Sequence, residues 1–133
     1  MIKNIVILAH NAMKPTMAEF IKEREEWLWG KRLVATGRSA EFLEKNEFKV
    51  PIVHLSPGQS GGYSEINDMI SKGEVTLVLF FVDPDVKERH HPDIEALIEI
   101  CIRQNVPLAT NTATAELMIL GHIRKEMAER MKH

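Results

Sequence analysis

Residues 77–93, LVLFFVDPDVKERHHPD, decide the fold of this chain. They continue an apolar run that starts at Val75 and ends at Val82, which is typical of a strand buried on both faces of a sheet. Asp83 and Pro84 end that run, and a polar loop then closes in HHPD at residues 90–93. Acids and histidines therefore gather at the carboxyl end of a central strand, where ligands bind in open α/β sheets.

A helix is predicted directly after this loop. Pro92 suits the first turn of a helix. Apolar side chains then recur with helical spacing, at Ile94, Leu97, Ile98, Cys101 and Ile102. The single cysteine lies on this apolar face, so we expect a small buried side chain rather than a nucleophile. One cysteine excludes a disulfide within the chain, which fits a reducing cytoplasm.

The rest of the chain repeats the order of strand and then helix. Apolar segments predict four more strands, at residues 5–9, 33–36, 51–55 and 106–110. Amphipathic segments predict helices between them, at 15–30, after 39, at 63–72, at 111–120 and at 123–132. This alternation predicts an α/β fold, an open, doubly wound, parallel five-stranded sheet with helices on both faces, formed by residues 1–133 as a single domain. Every strand then delivers its loop to the same rim of the sheet.

Composition excludes several classes of function. A chain of 133 residues with 44% hydrophobic and 27% charged residues is ordinary for a soluble globular domain. A net charge of −2 gives no electrostatic reason to expect a nucleic-acid partner. The apolar segment at residues 5–9 is too short for a signal peptide or a membrane span, so no membrane partner is expected.

Three loops after the other strands carry polar groups to this rim. TGRS at residues 36–39 suits an anion through helix amides, hydroxyls and a guanidinium, although the same turn also serves as a plain connection. SPGQSGG at residues 56–62 would let amides approach a phosphate, but it matches neither nucleotide-binding glycine motif, and a flexible surface loop is the alternative interpretation. Lys14 suits a phosphate and His10 a carbonyl, while an exposed lysine beside an incidental histidine is the simpler account of either alone.

The loop after the central strand is consistent with two kinds of chemistry. Five side chains there have atoms that ligate metals, namely Asp83, Asp85, His90, His91 and Asp93. Their spacing resembles no standard zinc or calcium arrangement, so acid–base chemistry is the better prediction, with an aspartate as the base and a histidine that moves protons near neutral pH. Asp93 also suits the first turn of a helix, where an acid is stabilised without any catalytic role.

Taken together, these motifs resemble those of the methylglyoxal synthase family from Ile5 to about Met118. The family's Ala-His-Asp-x-x-Lys is AHNAMK at residues 9–14, and its Ala-Thr-Gly-Thr-Thr/Ser is ATGRS at 35–39. Its Phe-Phe-x-Asp-Pro and His-x-Pro-Asp are found at 80–84 and 90–93, and its Ala-Thr-Asn-x-Ala-Thr-Ala is intact at 109–115.

The resemblance implies a function. The family cleaves dihydroxyacetone phosphate to methylglyoxal and inorganic phosphate, which is a carbon–oxygen lyase reaction that bypasses part of glycolysis. It implies no cofactor and no metal, a small phosphorylated substrate, inorganic phosphate as product or effector, and a cytoplasmic homo-oligomer, a hexamer. The alternative, from another class, is a catalytically impaired sensor of phosphorylated ligands on the same scaffold, as in the related domains at the end of carbamoyl phosphate synthetases.

The resemblance also implies roles for matching positions. The phosphate would be held by Lys14, Thr36, Arg38 and Ser39, with close backbone approach at Gly37 and further contacts from Ser56 and Gly58. His10 and His90 would face the carbonyl and hydroxyl oxygens. Asp83 and Asp93 would be the acids of the active site.

Two departures from the family pattern affect catalysis and assembly. Tyr63 stands where the family has its catalytic aspartate, and a phenol, with an ordinary pKa of about 10, is a poor base at neutral pH. The base would then be Asp93, Asp83 or a displaced Glu65. Asn11 replaces an acid that pairs, in the family, with an arginine of a neighbouring chain.

Overall fold

The computed structural model of the chain describes residues 3–86 and 92–132. Its centre is a parallel sheet of five strands in the order β3-β2-β1-β4-β5. The strands are β1 (Asn4–Ala9), β2 (Arg32–Ala35), β3 (Ile52–His54), β4 (Val75–Phe81) and β5 (Leu108–Ala109). The predicted fold class, an open parallel α/β sheet, is confirmed.

The described residues form six α-helices, five between successive strands and one after the last strand. They are α1 (Lys14–Glu23), α2 (Glu25–Leu28), α3 (Gly37–Lys45), α4 (Gly62–Ser71), α5 (Pro92–Arg103) and α6 (Thr112–Met131). Two short 3-10 turns, Asn11–Met13 and Gly58–Ser60, precede α1 and α4. No helix in the described part of the chain is long and apolar enough to cross a membrane.

Two cores lie on the two faces of the sheet because successive side chains of a strand point to opposite sides. Ile5 and Ile7 of β1 belong to the core that includes side chains of α1, α3 and α6. Val6 and Leu8 belong to the other core, which includes α4 and α5. In β4, all but Thr76 are buried, as predicted for a strand covered on both faces.

The helix predicted from Pro15 to about Gly30 is interrupted at Arg24. This residue leaves helical geometry, with φ −111° and ψ 16°, and its guanidinium donates a hydrogen bond to the Phe20 carbonyl at 3.0 Å while lying 3.6 Å from the centre of the Phe20 ring. The chain then forms only the single turn of α2. The local contact between Arg24 and Phe20 therefore replaces the continuation of the helix.

The two helices predicted at the carboxyl end of the chain are one helix, α6. Asn111 is its N-cap, because its side-chain oxygen accepts a hydrogen bond from the Thr114 amide at 2.8 Å. Gly121 lies inside the helix without ending it, since a glycine there costs only about 1 kcal/mol. In α5, burial raises the pKa of the Cys101 thiol to about 11, which fits the predicted role as a packed side chain.

Candidate active site

The carboxyl ends of β1, β2 and β4 open into one cavity of about 590 Å³. The loops after these strands and the turn before α4 form its walls. Seven of the residues singled out in the sequence line it, namely His10, Lys14, Thr36, Arg38, Gly58, Tyr63 and Asp83. Parallel strands place their following loops at one edge of the sheet, which is why side chains so distant in sequence meet here.

His10, the residue after β1, is held in a defined orientation. Its Nδ1 accepts a hydrogen bond from the backbone N–H of Asp83 at 2.9 Å, which assigns the ring proton of neutral His10 to Nε2. Nε2 is buried and has no hydrogen-bond partner among the described residues. Burial lowers the pKa of His10, an effect that Asp83 opposes and Lys14 reinforces. A neutral imidazole with a buried, unpartnered N–H therefore lies at the cavity.

Lys14, the first residue of α1, is buried at this cavity without a carboxylate partner among the described residues. Its Nζ donates hydrogen bonds to the Ala9 carbonyl and to Asn11 Oδ1, both at 3.0 Å. Burial lowers the pKa of Lys14, and the nearby charge of Arg38 lowers it further. Asn11 accepts a hydrogen bond but carries no charge, so the positive charge of Lys14 remains available to an anion.

Thr36 and Arg38 bring the amino end of α3 to the cavity. Thr36 Oγ1 donates to Ser39 Oγ at 3.1 Å, and Ser39 Oγ accepts from the Ala9 amide at 3.2 Å. Ser39 is therefore fully buried behind the cavity, where it joins β1 to α3 rather than lining the cavity itself. Arg38 is exposed and adds a second cation to the wall.

Gly37 also lies behind the cavity lining. A Cβ at this position would lie 2.9 Å from the Leu55 carbonyl oxygen, so the close approach of α3 to the loop after β3 requires glycine. Gly37 contributes to the site by allowing this packing.

The wall opposite His10 and Lys14 is formed by the loop before α4. Gly58 and Ser60 line the cavity there, whereas Ser56 does not; the Ser56 amide donates to Glu65 Oε2 at 3.3 Å. Tyr63 is 7% exposed, and its ring packs against Phe80, with 6.1 Å between ring centres. A Cβ on Gly58 would lie 2.9 Å from the Tyr63 ring, so the glycine makes room for the tyrosine.

Asp83 lies where the polypeptide leaves β4, beside His10. Its Oδ1 accepts a hydrogen bond from the Asp85 amide at 2.9 Å, which fixes the carboxylate by a local turn. Asp83 is the only acidic side chain among the described residues that line the cavity. Within residues 3–86 and 92–132, no three His, Cys, Asp or Glu side chains are grouped so that they could hold a metal ion.

Three of the residues singled out in the sequence cannot be placed. His90 and His91 lie outside the described residues, and so does the side chain of Asp93, whose backbone belongs to the first turn of α5. Sequence reasoning missed Ser60 and the backbone N–H of Asp83. The glycine-rich spacing around Ser60 could have indicated the former, but no sequence signal indicates a backbone donor to His10.

Comparisons with known proteins agree on one family. A family profile described as "MGS-like domain" matches residues 16–110. A protein of Acholeplasma laidlawii named methylglyoxal synthase is 40% identical over 86% of this chain and 93% of its own length. One of the same name from Moorella thermoacetica is 38% identical over 86% and 89%. The crystal structure of methylglyoxal synthase from Elizabethkingia anophelis superposes with a TM-score of 0.78 at 27% identity, covering 88% of this chain and 76% of that one.

Proposed function

The chain belongs to the methylglyoxal synthase family, and we propose that its rim cavity is the site at which it converts dihydroxyacetone phosphate to methylglyoxal and inorganic phosphate. It is a carbon–oxygen lyase. One observation carries the assignment of the site: the buried Nε2–H of His10 and the buried, unneutralised Lys14 line the same cavity. In a substrate with a carbonyl and a phosphate, the carbonyl oxygen would accept a hydrogen bond from the His10 N–H, and the negative phosphate would pair with the Lys14 ammonium.

The reaction begins with removal of a proton from the carbon beside the carbonyl, which gives an enediolate phosphate. Negative charge then develops on the carbonyl oxygen, where the His10 N–H donates a hydrogen bond that grows stronger with the charge. Because burial lowers the pKa of His10, the ring remains a neutral donor at neutral pH. Cleavage of the carbon–oxygen bond next releases phosphate with the electron pair of that bond.

The departing phosphate is stabilised by the cationic side of the cavity. Lys14, Thr36 and Arg38 line it, and the amino end of α3 favours negative charge, although the Gly37 amide already donates to the Ser56 carbonyl at 3.3 Å. Gly58 has no side chain, so a phosphate can closely approach the backbone of this wall. Ser39, Gly37 and Ser56 support these groups from behind, so their proposed contribution to phosphate binding is indirect.

The proposed catalytic set combines Tyr63 of α4 with three residues that follow β4. Asp83 lines the cavity, and Tyr63 occupies the position of the family's base. His90 and Asp93 complete the set by family resemblance alone. No step in this scheme requires a cofactor or a metal ion.

Assembly and location are also part of the proposal. We expect a homo-oligomer, a hexamer by family resemblance, because apolar side chains remain on the surface at Trp29, Leu117, Leu120, Met127 and Met131. The free, buried Cys101 is consistent with a reducing cytoplasm, where the reaction would bypass part of glycolysis and inorganic phosphate would act as product or effector.

The test is an assay of methylglyoxal release from dihydroxyacetone phosphate by the purified chain. Enzyme-dependent release, inhibited by inorganic phosphate, is the expected result. Binding of phosphate without release of methylglyoxal at any enzyme concentration would instead favour the sensor of phosphorylated ligands. The names of the relatives and of the structural neighbour favour the enzyme.

A further inference from the structure

The reaction needs a base, and the usual position for one is filled by a side chain that packs instead. Tyr63 is buried in the core that contains Phe80, and its ring lies beside Gly58. A phenol is protonated at neutral pH, whereas a carboxylate is ionised there. The wall at Tyr63 therefore provides shape to the cavity but no group that is ready to accept a proton.

Glu65 is the acid nearest to Tyr63 in the sequence, but the structure directs it elsewhere. Its Oε2 accepts a hydrogen bond from the Ser56 amide at 3.3 Å, and it does not line the cavity. Its Oε1 lies next to Gly61, 3.5 Å from where a Cβ would be. Glu65 thus holds the glycine-rich loop to the first turn of α4, which is a structural role.

Asp83 meets the requirements that Tyr63 and Glu65 do not. It lines the cavity beside His10, the proposed donor to the enediolate oxygen. Its Oδ1 is held by the Asp85 amide, and no described residue hydrogen-bonds its second carboxylate oxygen. One oxygen is thereby positioned by the backbone, and within residues 3–86 and 92–132 the other is left to act on a substrate proton.

We propose, on the premise that the proposed function holds, that Asp83 is the general base of this chain and His10 its electrophilic partner. The Asp83 carboxylate takes the proton from the hydroxymethyl carbon of dihydroxyacetone phosphate. The C–H electron pair becomes the carbon–carbon double bond, and the carbonyl pair moves to the oxygen that faces the His10 N–H. The hydroxyl oxygen on the deprotonated carbon then forms the aldehyde C=O and loses its proton, the double-bond pair shifts toward the phosphate-bearing carbon, and the carbon–oxygen bond to phosphate breaks with its electron pair. The departing phosphate gains one proton and the new methyl carbon gains another, which balances the C–H and O–H protons removed.

The geometry also explains how Asp83 and His10 keep a fixed position relative to each other. The backbone N–H of Asp83 orients the His10 ring, so both catalytic groups are fixed by the same residue. An asparagine at position 83 would keep this N–H and could still accept from the Asp85 amide. Asp83→Asn therefore removes the proton acceptor and leaves the orientation of His10 intact.

The experiment compares Asp83→Asn with Asp85→Asn, a matched loss of one exposed carboxylate two residues away. For Asp83→Asn we expect kcat/KM to fall by about 10²–10⁴-fold and deuterium exchange from solvent into the substrate to disappear, while the melting temperature and phosphate binding are kept. Asp85→Asn should stay near the wild-type rate, because its side chain does not line the cavity. Formate added to Asp83→Ala should restore part of the exchange.

The outcomes separate this inference from the proposed function. If the wild type releases no methylglyoxal, the proposed function and the inference both fail. If the wild type is active and Asp83→Asn retains a rate within tenfold of it, only the inference fails, and a large loss in Asp93→Asn would give the role to Asp93. Should Asp83→Asn lose its fold, a folded Asp83→Ala that formate does not rescue would equally overturn the inference.

Discussion

Two walls of the cavity differ in how their side chains are used. The polar wall, formed by His10 and Lys14 after β1, contains the buried His10 Nε2 and Lys14, and residues 3–86 and 92–132 leave part of their hydrogen-bonding capacity unsatisfied. The packed wall is formed by Gly58, before α4, and Tyr63, in the first turn of α4; the two are in close contact, and Tyr63 belongs to the core. Burying polar groups without partners is costly, so the polar wall indicates selection for a ligand, whereas Tyr63 in the packed wall contributes ring packing against Phe80.

The largest expected effect is a loss of stability when the packed wall is disrupted. Tyr63→Ala removes a nearly buried aromatic ring that contacts Phe80, and we expect the free energy of unfolding to fall by about 3–5 kcal/mol. Chemical denaturation measures this change. Ser60→Ala, an exposed position on the same side of the cavity, is the control and should shift stability by less than about 0.5 kcal/mol. A loss below about 1 kcal/mol in Tyr63→Ala would show that the ring is not packed as described.

The next effect concerns the neutral donor of the polar wall. His10→Phe keeps a ring beside Phe80 but removes the N–H, and we expect kcat to fall by about 10²–10³-fold, as for the loss of one oxyanion donor. Steady-state kinetics checks this, with KM as the internal comparison. A raised KM at unchanged kcat would mean that His10 binds the substrate and its transition state equally.

The cation of the polar wall should act on phosphate. Wild-type protein should gain about 2.7 kcal/mol of stability at a phosphate concentration one hundred times the dissociation constant. Lys14→Met should weaken phosphate binding by about 10–100-fold, because a charged hydrogen bond contributes about 1.5–3 kcal/mol. Thermal shift measures both, and Lys22→Met, an exposed lysine on α1, is the matched control. Equal phosphate stabilisation in Lys14→Met would place the anion elsewhere.

The smallest effect is a dependence on pH. Because burial lowers the pKa of His10, the unfolded chain binds a proton at higher pH than the folded chain does. The stability from neutral His10 is complete above about pH 6.5 and is lost as the pH falls from there towards the lowered pKa, by at most about 1.4 kcal/mol per pH unit. His10→Phe should show a shallower decline between pH 6.5 and 5. Parallel curves would contradict the assignment of a buried, neutral imidazole.

Periodicity and loop position were enough to predict the architecture, but not its interruptions. The apolar run around Leu77 and the repeated order of strand and then helix indicate a parallel sheet with helices on both faces, and this is confirmed. The break at Arg24 depends on a side chain folding over Phe20, and the continuity of α6 through Gly121 depends on tertiary support. Neither is visible in hydrophobic spacing.

The sequence was enough to predict which residues cluster at the candidate site, but not the structural role of each one. Every loop at one rim can be assigned from the order of the strands, so the cluster of His10, Lys14 and Asp83 is expected. Sequence reasoning could not tell that Ser39 turns inward or that the Asp83 backbone determines the His10 tautomer. Those facts depend on angles and distances between segments remote in sequence.

The most direct test of the central claim is a crystal structure of the chain with a stable phosphorylated analogue of the enediolate. The account expects the phosphate against Lys14 and the amino end of α3, and the enolate-like oxygen within hydrogen-bond distance of His10 Nε2. An analogue bound outside the cavity would contradict the account. So would an analogue bound inside it with His10 Nε2 still unpartnered.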